Sequence, residues 1–331
     1  MNYEEFLTYI KEHLIKCLVE QACMQSEKAE EEDYEIEVNQ VVKNNGIVLD
    51  GVTVRKKNTS ISPNIYLNAY YDAYQMGKPL SVIMEEIVAG YESAKDEHLE
   101  IVDIMDFEAV KDKLTLRLVN YDKNREQLER CPHKRYLDLA VTFRYVANMD
   151  TVGIASSLIS NQEWEHWDIG LEELYRIALH NTMRDFPWQM DSLAGVIKEC
   201  LRAKSPGSFP NELLEEIRNL DHMEHGVNLY VLSNALGING ATCMLYDKVI
   251  SHFAKVQEAN VYILPSSVHE VMLVPEEKDT DPEFLGQLVV EANQSAVGYI
   301  DLLSDHIYYY DRESDTMTIY ESKISESISR E

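Results

Sequence analysis

The stretch YILPSSVHEVMLVPEE, residues 262–277, decides how most of the chain is read. Two apolar, β-branched runs, YIL and VMLV, flank Pro265, Ser266 and Ser267, a turn-forming trio. Both runs are too short for helices. Strands joined this closely pair antiparallel, because a parallel crossover needs a dozen residues or more. Working outward, NLYVLSN (228–234), the turn GING (237–240) and ATCMLY (241–246) read as strand, turn and strand, followed by a helix capped by Asp247. Asp281 as N-cap and Pro282 at the first helical position open another helix. Its expected buried side is Phe284, Leu285, Leu288, Val289 and Ala292. IYYYD and MTIYES close as a hairpin around RESD.

Upstream, TLRLVNY (115–121), LDLAVTFRYVA (137–147) and GIASSLIS (153–160) read as strands. ELYRIALHN (173–181) and WQMDSLAGVIKECL (188–201) read as helices, and KSPGSFPNE (204–212) as a loop. The expected class is α+β: a mixed, largely antiparallel sheet flanked by helices over residues 106–325, in two similar strand-strand-helix halves. Residues 1–105 read as a smaller helix-hairpin-helix lobe. Tyr3, Phe6, Leu7, Ile10, Leu14, Leu18 and Ala22 recur at helical spacing, and EKAEEED (27–33) ends that stripe. IEVNQVVKNNGIVLDGVTVR (36–55) is a hairpin turning at Asn44, Asn45 and Gly46. Pro79 opens a helix burying Leu80, Ile83, Met84, Ile87, Val88 and Tyr91, and the acidic residues 92–108 connect the lobes.

Several of these stretches carry a resemblance. VVKNNGIVLDGVTVR and ISPNIYLNAYYDAY in the first lobe, with RLVNYDKNREQLERCPHKRYLDLAVTFR, LYVLSN, GATCMLY, ILPSSVHEVMLVPEE and LLSDHIYYYDRES in the second, resemble an uncharacterised bacterial family, domain of unknown function 5688. The likeness runs from about residue 30 to about 321, in the family's order, and departs at GYIDLLSD. It implies no activity, substrate, cofactor or catalytic residue.

Charge narrows the function classes. The 331 residues hold 30 basic and 58 acidic side chains, a net charge of −28. Residues 1–110 and 221–331 each carry −13, and the middle of the chain only −2. Such a field repels phosphate backbones and anionic membranes, so no nucleic-acid or membrane partner is expected. Five scattered cysteines without a CxxC pair read as reduced thiols, and no signal peptide or spanning segment is evident, which points to the cytoplasm. With 13 glycines and neither G-x-G-x-x-G nor G-x-x-x-x-G-K-[ST], no nucleotide cofactor is expected.

Three constellations could bear chemistry. Ser267 and His269 share a strand face, so His269 could serve Ser267, or Cys131, as the base of a metal-independent hydrolase or transferase. No nucleophile elbow surrounds them. The plainer reading makes Pro265, Ser266, Ser267, His269 and Glu270 a polar turn at a pocket or interface. Second, ERCPHKRYLD (129–138) concentrates cations that could favour a Cys131 thiolate, while Asp138 caps or pairs locally. That basic patch could also dock on one of the chain's own acidic ends. Third, His222 and His225 in HMEH stand at chelating spacing, but two ligands make no site, and no metal is expected. Tyrosines outnumber phenylalanines 20 to 7, which suits interfaces as well as packed edges. Asn234, Asp305, Tyr308 and Tyr310 join the loop 265–270 as binding candidates. The leading expectation is a non-enzymatic module that binds a protein partner or regulates. The hydrolase is the alternative, and an acidic DNA mimic is a weaker third.

Overall fold

In the computed structural model, residues 1–24, 30–56, 64–95, 102–149, 154–196, 228–265 and 267–321 are described. KSPGSFPNE, Ser266, His222, His225 and Cys200 lie outside them. The chain divides into two units, Met1–Val102 and Asp103–Glu331.

In the first unit, α1 (Tyr3–Met24) turns Phe6, Ile10, Leu14, Leu18 and Ala22 inward, as their spacing requires. Strands β1 (Tyr34–Val42) and β2 (Val48–Lys56) pair antiparallel around Asn45 and Gly46, at φ 60° and 72°. A third strand, β3 (Asn64–Tyr66), pairs with β2, and α2 (Asn68–Gln75) follows. These two elements enlarge the expected helix-hairpin-helix. Helix α3 (Leu80–Lys95) buries Ile83, Met84, Ile87, Val88 and Tyr91 against the α1 stripe, Val52 and Val54.

The second unit runs α4 (Phe107–Val110), β4 (Leu114–Asn120), α5 (Arg125–Leu128), β5 (His133–Tyr136), β6 (Leu139–Met149), β7 (Ile154–Leu158), α6 (Asn161–Trp167) and α7 (Leu171–Asp185). It continues with β8 (Trp188–Ser192), β9 (Tyr230–Asn234), α8 (Val249–Gln257), β10 (Val261–Leu264), β11 (Val271–Pro275), α9 (Pro282–Ser295), β12 (Tyr308–Asp311) and β13 (Thr316–Ile319). The class is α+β. Two sheets form among the described residues of this unit: β4-β6-β5 with β7 also on β6, and the six-stranded β13-β12-β10-β11-β9-β8. Every described pairing is antiparallel. Helix α7 closes on β4, where the Thr182 hydroxyl accepts from the Leu116 amide at 2.9 Å and the Asn181 amide donates to the Leu114 carbonyl at 3.0 Å.

Four local expectations fail, each for a physical reason. Trp188–Ser192 is a strand, not a helix, because its residues pair with β9 from Asn234 to Tyr230. ATCMLY is not a strand. Residues Gly240–Leu245 wind as a 3₁₀ turn, burying Gly240 through Met244 consecutively where a half-buried strand would alternate. Asp247 does not cap α8: Lys248 occupies that position at φ 66°, with no side-chain cap. Phe284 is 49% exposed, because the inward row of α9 is Leu285, Val289 and Asn293. Among the described residues, no helix is long and apolar enough to cross a membrane.

Candidate functional site

The segment Asp301–His306, between α9 and β12, organises the polar centre of the second unit. It runs beside the turn after β10. The Val268 amide donates to the Asp301 carbonyl at 2.8 Å and the Ser304 amide to the Pro265 carbonyl at 3.0 Å, with Ser267 bridged to Leu302. This fastening holds one aspartate and one histidine five positions apart. Each meets the complementary residue from another element.

Asp301 meets His269. The Asn239 amide donates to His269 Nδ1 at 3.3 Å, so Nε2 carries the proton and donates to Asp301 Oδ1 at 3.2 Å. Both ring nitrogens are thus engaged. Ser267 Oγ accepts from the backbone amide of His269 at 3.0 Å, an ST-turn contact. The serine and the imidazole therefore do not form a nucleophile-base pair. The His269 carbonyl accepts from Ser233 Oγ at 2.7 Å, and Gly240 packs so closely that a Cβ there would lie 2.4 Å from that carbonyl oxygen.

His306 meets Asp138. Its Nδ1 donates to Asp138 Oδ2 at 3.1 Å, the same oxygen that accepts from Ser304 Oγ at 2.6 Å, while Tyr308 donates to Oδ1 at 2.6 Å. Burial alone would raise the Asp138 carboxyl, but the hydrogen bonds from His306, Ser304 and Tyr308 outweigh it and hold it below its ordinary value. The hydrogen bond to Asp138 raises His306 in turn, against its own burial. Burial and the neighbouring carboxylate push the Tyr308 phenol well up, so it remains a donor. Asp138 was expected to cap or pair locally. It instead gathers partners more than 160 residues away, because the turn into β6, with Leu137 at φ 56°, aims it at the second sheet.

The other candidates take structural places. Cys131 is buried, and burial pushes its thiol up to about 11 against the pull of Arg144, so it is no thiolate at neutral pH. Its Sγ faces the Leu128 carbonyl, and no imidazole pairs with it among the described residues. Asn234 is buried, its side chain bonded to Ile238 O and Leu236 N across the turn. Tyr308 and Tyr310 are 0% and 5% exposed, which places them in the core rather than on a surface. Asp305 holds Lys123 and Asn293, and Lys123 lies outside the basic patch 129–138, whose Arg130 and Lys134 pair with Glu126 and Glu172. Glu270 makes no hydrogen bond or ion pair among the described residues, and Pro265 is buried. No three His, Cys, Asp or Glu side chains converge among the described residues as metal ligands would.

Sequence reasoning did not single out Asp301, Ser304 or His306. A signal existed in IDLLSDH, where apolar Leu302 and Leu303 sit between polar residues that must all find partners once that pair is buried. No curated protein and no solved structure matches the chain. The profile of the family of unknown function DUF5688 matches residues 3–312, nearly the full length, and the chain belongs to that family.

Proposed function

We propose that this chain is a non-catalytic cytoplasmic module that docks a protein partner, as an interaction or regulatory component. The observation that supports this reading is the wiring of residues 267–269. Nucleophilic catalysis needs a hydroxyl or thiol within reach of a free ring nitrogen. Here the serine is held by a backbone amide, both nitrogens of the neighbouring imidazole are occupied, and the candidate thiol stays protonated. A docking surface is available at the edge of the six-stranded sheet. Trp188 on β8 is 46% exposed and Leu236 is 44% exposed, and the residues just before them are joined by the Ala235 amide donating to the Pro187 carbonyl. Among the described residues β8 is the outer strand of its sheet, and exposed apolar side chains beside an outer strand suit strand addition by a partner. A net charge of −28 favours a basic partner and disfavours nucleic acid and membrane surfaces.

Affinity capture of the intact chain tests the reading, run beside His269→Ala and the double substitution Trp188→Ser with Leu236→Ser. A stoichiometric protein retained by His269→Ala and lost by the edge variant is the expected result. Turnover of an ester, amide or phosphoester by the wild type that is abolished by His269→Ala overturns it.

A further inference from the structure

Among the described residues β8 is paired on one side only, and its register shows which groups it presents on the other. The Ala235 amide donates to the Pro187 carbonyl at 3.0 Å and the Leu193 amide to the Leu229 carbonyl at 2.8 Å. Gln189 opposite Ser233 and Asp191 opposite Val231 stand in line between those two pairs. Opposed residues in an antiparallel ladder alternate between bonded and non-bonded pairs, so Gln189 and Asp191 direct their amides and carbonyls to β9. Trp188, Met190 and Ser192 therefore direct theirs away from it, along the outer edge.

The two faces of this edge differ in chemistry. On one, Val271 lies opposite Leu232 and Leu232 opposite Met190. Val271 and Leu232 are fully buried, but the apolar row breaks off at the half-buried Met190, with the exposed Trp188 two residues away on the same face. An apolar side chain on an added strand would continue that row. On the other face, Met272 lies opposite Val231 and Val231 opposite Asp191. Asp191 is exposed, so this row ends in a carboxylate facing water. A basic side chain on the added strand would meet it.

Outer strands are ordinarily guarded by lysine, proline or a covering element. In the other sheet of this unit, the outer strand β5 carries Lys134 and Arg135. At the far side of the six-stranded sheet, β13 is met by the Tyr136 hydroxyl, which donates to Met317 Sδ at 3.2 Å. The residues of β8, WQMDS, include no lysine, arginine or proline, and four of the five are exposed. We infer that β8 accepts an extended segment of a partner protein as a further strand, and that this segment alternates apolar with basic residues. The inference rests on partner docking at this edge and adds the mode of docking and the pattern recognised. Residues 221–331 supply five of the six strands and carry a net charge of −13, which favours the same basic chemistry.

A short capped peptide alternating lysine and valine is the probe, labelled with fluorescein and titrated into the full-length chain by anisotropy. Saturable binding is expected, at least roughly tenfold tighter than that of a peptide with the same residues grouped in two blocks. Met190→Pro should weaken it by at least roughly tenfold. The N–H lost there points outward, so the ladder to β9 is kept, and the melting temperature serves as the folding check. Asp191→Lys changes an exposed side chain only and should weaken binding by a similar factor. No binding to the wild type, equal binding of the grouped peptide, or binding that both variants retain overturns the inference. A wild-type dimer that Met190→Pro dissolves also overturns it, by giving the edge to a second copy. A cellular partner lost by the double substitution Trp188→Ser with Leu236→Ser but kept by Met190→Pro overturns strand addition and leaves docking standing. Retention of that partner by the double substitution overturns docking at this edge itself.

Discussion

His269 and His306 each meet an aspartate through one ring nitrogen, at 3.2 and 3.1 Å, yet the two pairs bear opposite loads. Around His269 the imidazole is the fixed member. It accepts from Asn239, donates to Asp301, and its backbone anchors Ser267 and Ser233. Around His306 the carboxylate is the fixed member. Asp138 is 13% exposed and gathers three donors, while the His306 side chain is 58% exposed and its Nε2 has no partner among the described residues. The same two residue types thus make a bracket in one place and a hub with a loose spoke in the other. An Asp-His contact by itself says nothing about catalysis. What matters is which nitrogen is left over and whether anything reactive stands beside it.

Substitutions that should separate the two pairs begin with Asp138→Ala. It strips the acceptor from the buried Ser304 and Tyr308 hydroxyls and should cost about 3–5 kcal/mol, read by urea unfolding of the full chain. A loss below about 1 kcal/mol would show that the hub is dispensable. Next comes Gly240→Ala, where the added Cβ would sit 2.1 Å from Ser233 Oγ and 2.4 Å from the His269 carbonyl. Because that carbonyl is backbone and cannot swing aside, about 1–3 kcal/mol of destabilisation is expected in the same assay. His269→Ala should follow at about 1–2 kcal/mol, as the Asn239 amide loses its acceptor. His306→Ala should change stability at neutral pH by less than about 1 kcal/mol, since an exposed pair contributes little. If the two histidine variants lost the same amount, the contrast drawn between the pairs would collapse.

The smallest effect is one of pH. His306 is raised above its ordinary 6.5, so its contribution is whole below pH 6.5 and is lost as the pH climbs through the raised value. Asp138 is held below 3.8, so its contribution is present above 3.8 and is lost on acidification through the lowered value. Between those limits the pair is complete. Thermal melts should therefore fall gently above pH 6.5 in the wild type, and this slope should flatten in His306→Asn.

Much of the fold could be read from local pattern. The α1 stripe, the Asn-Gly hairpin, the Asp281-Pro282 cap and the 261–275 hairpin all follow from residues within a few positions of one another. What could not be read was long-range. Trp188–Ser192 has no strand signature of its own and takes one from β9, about forty residues on. ATCMLY has strand composition, but Gly240 pressed against the His269 carbonyl winds it into a turn. At the candidate site, the sequence pointed to the loop at 265–270, where His269 sits, and to Asp305 in the segment that holds it, but not to Asp301 or His306. Asp301 and His306 gain their roles only when that segment lies along Pro265–Val268.

The spacing of Asp301 and His306 has a last consequence. One stretch of backbone supplies a carboxylate in one direction and an imidazole in the other, with its amides pinned in between. Single replacements there can be absorbed by one end or the other. A residue inserted or removed between the two positions would throw at least one contact out of phase, so length is constrained in this segment more tightly than composition.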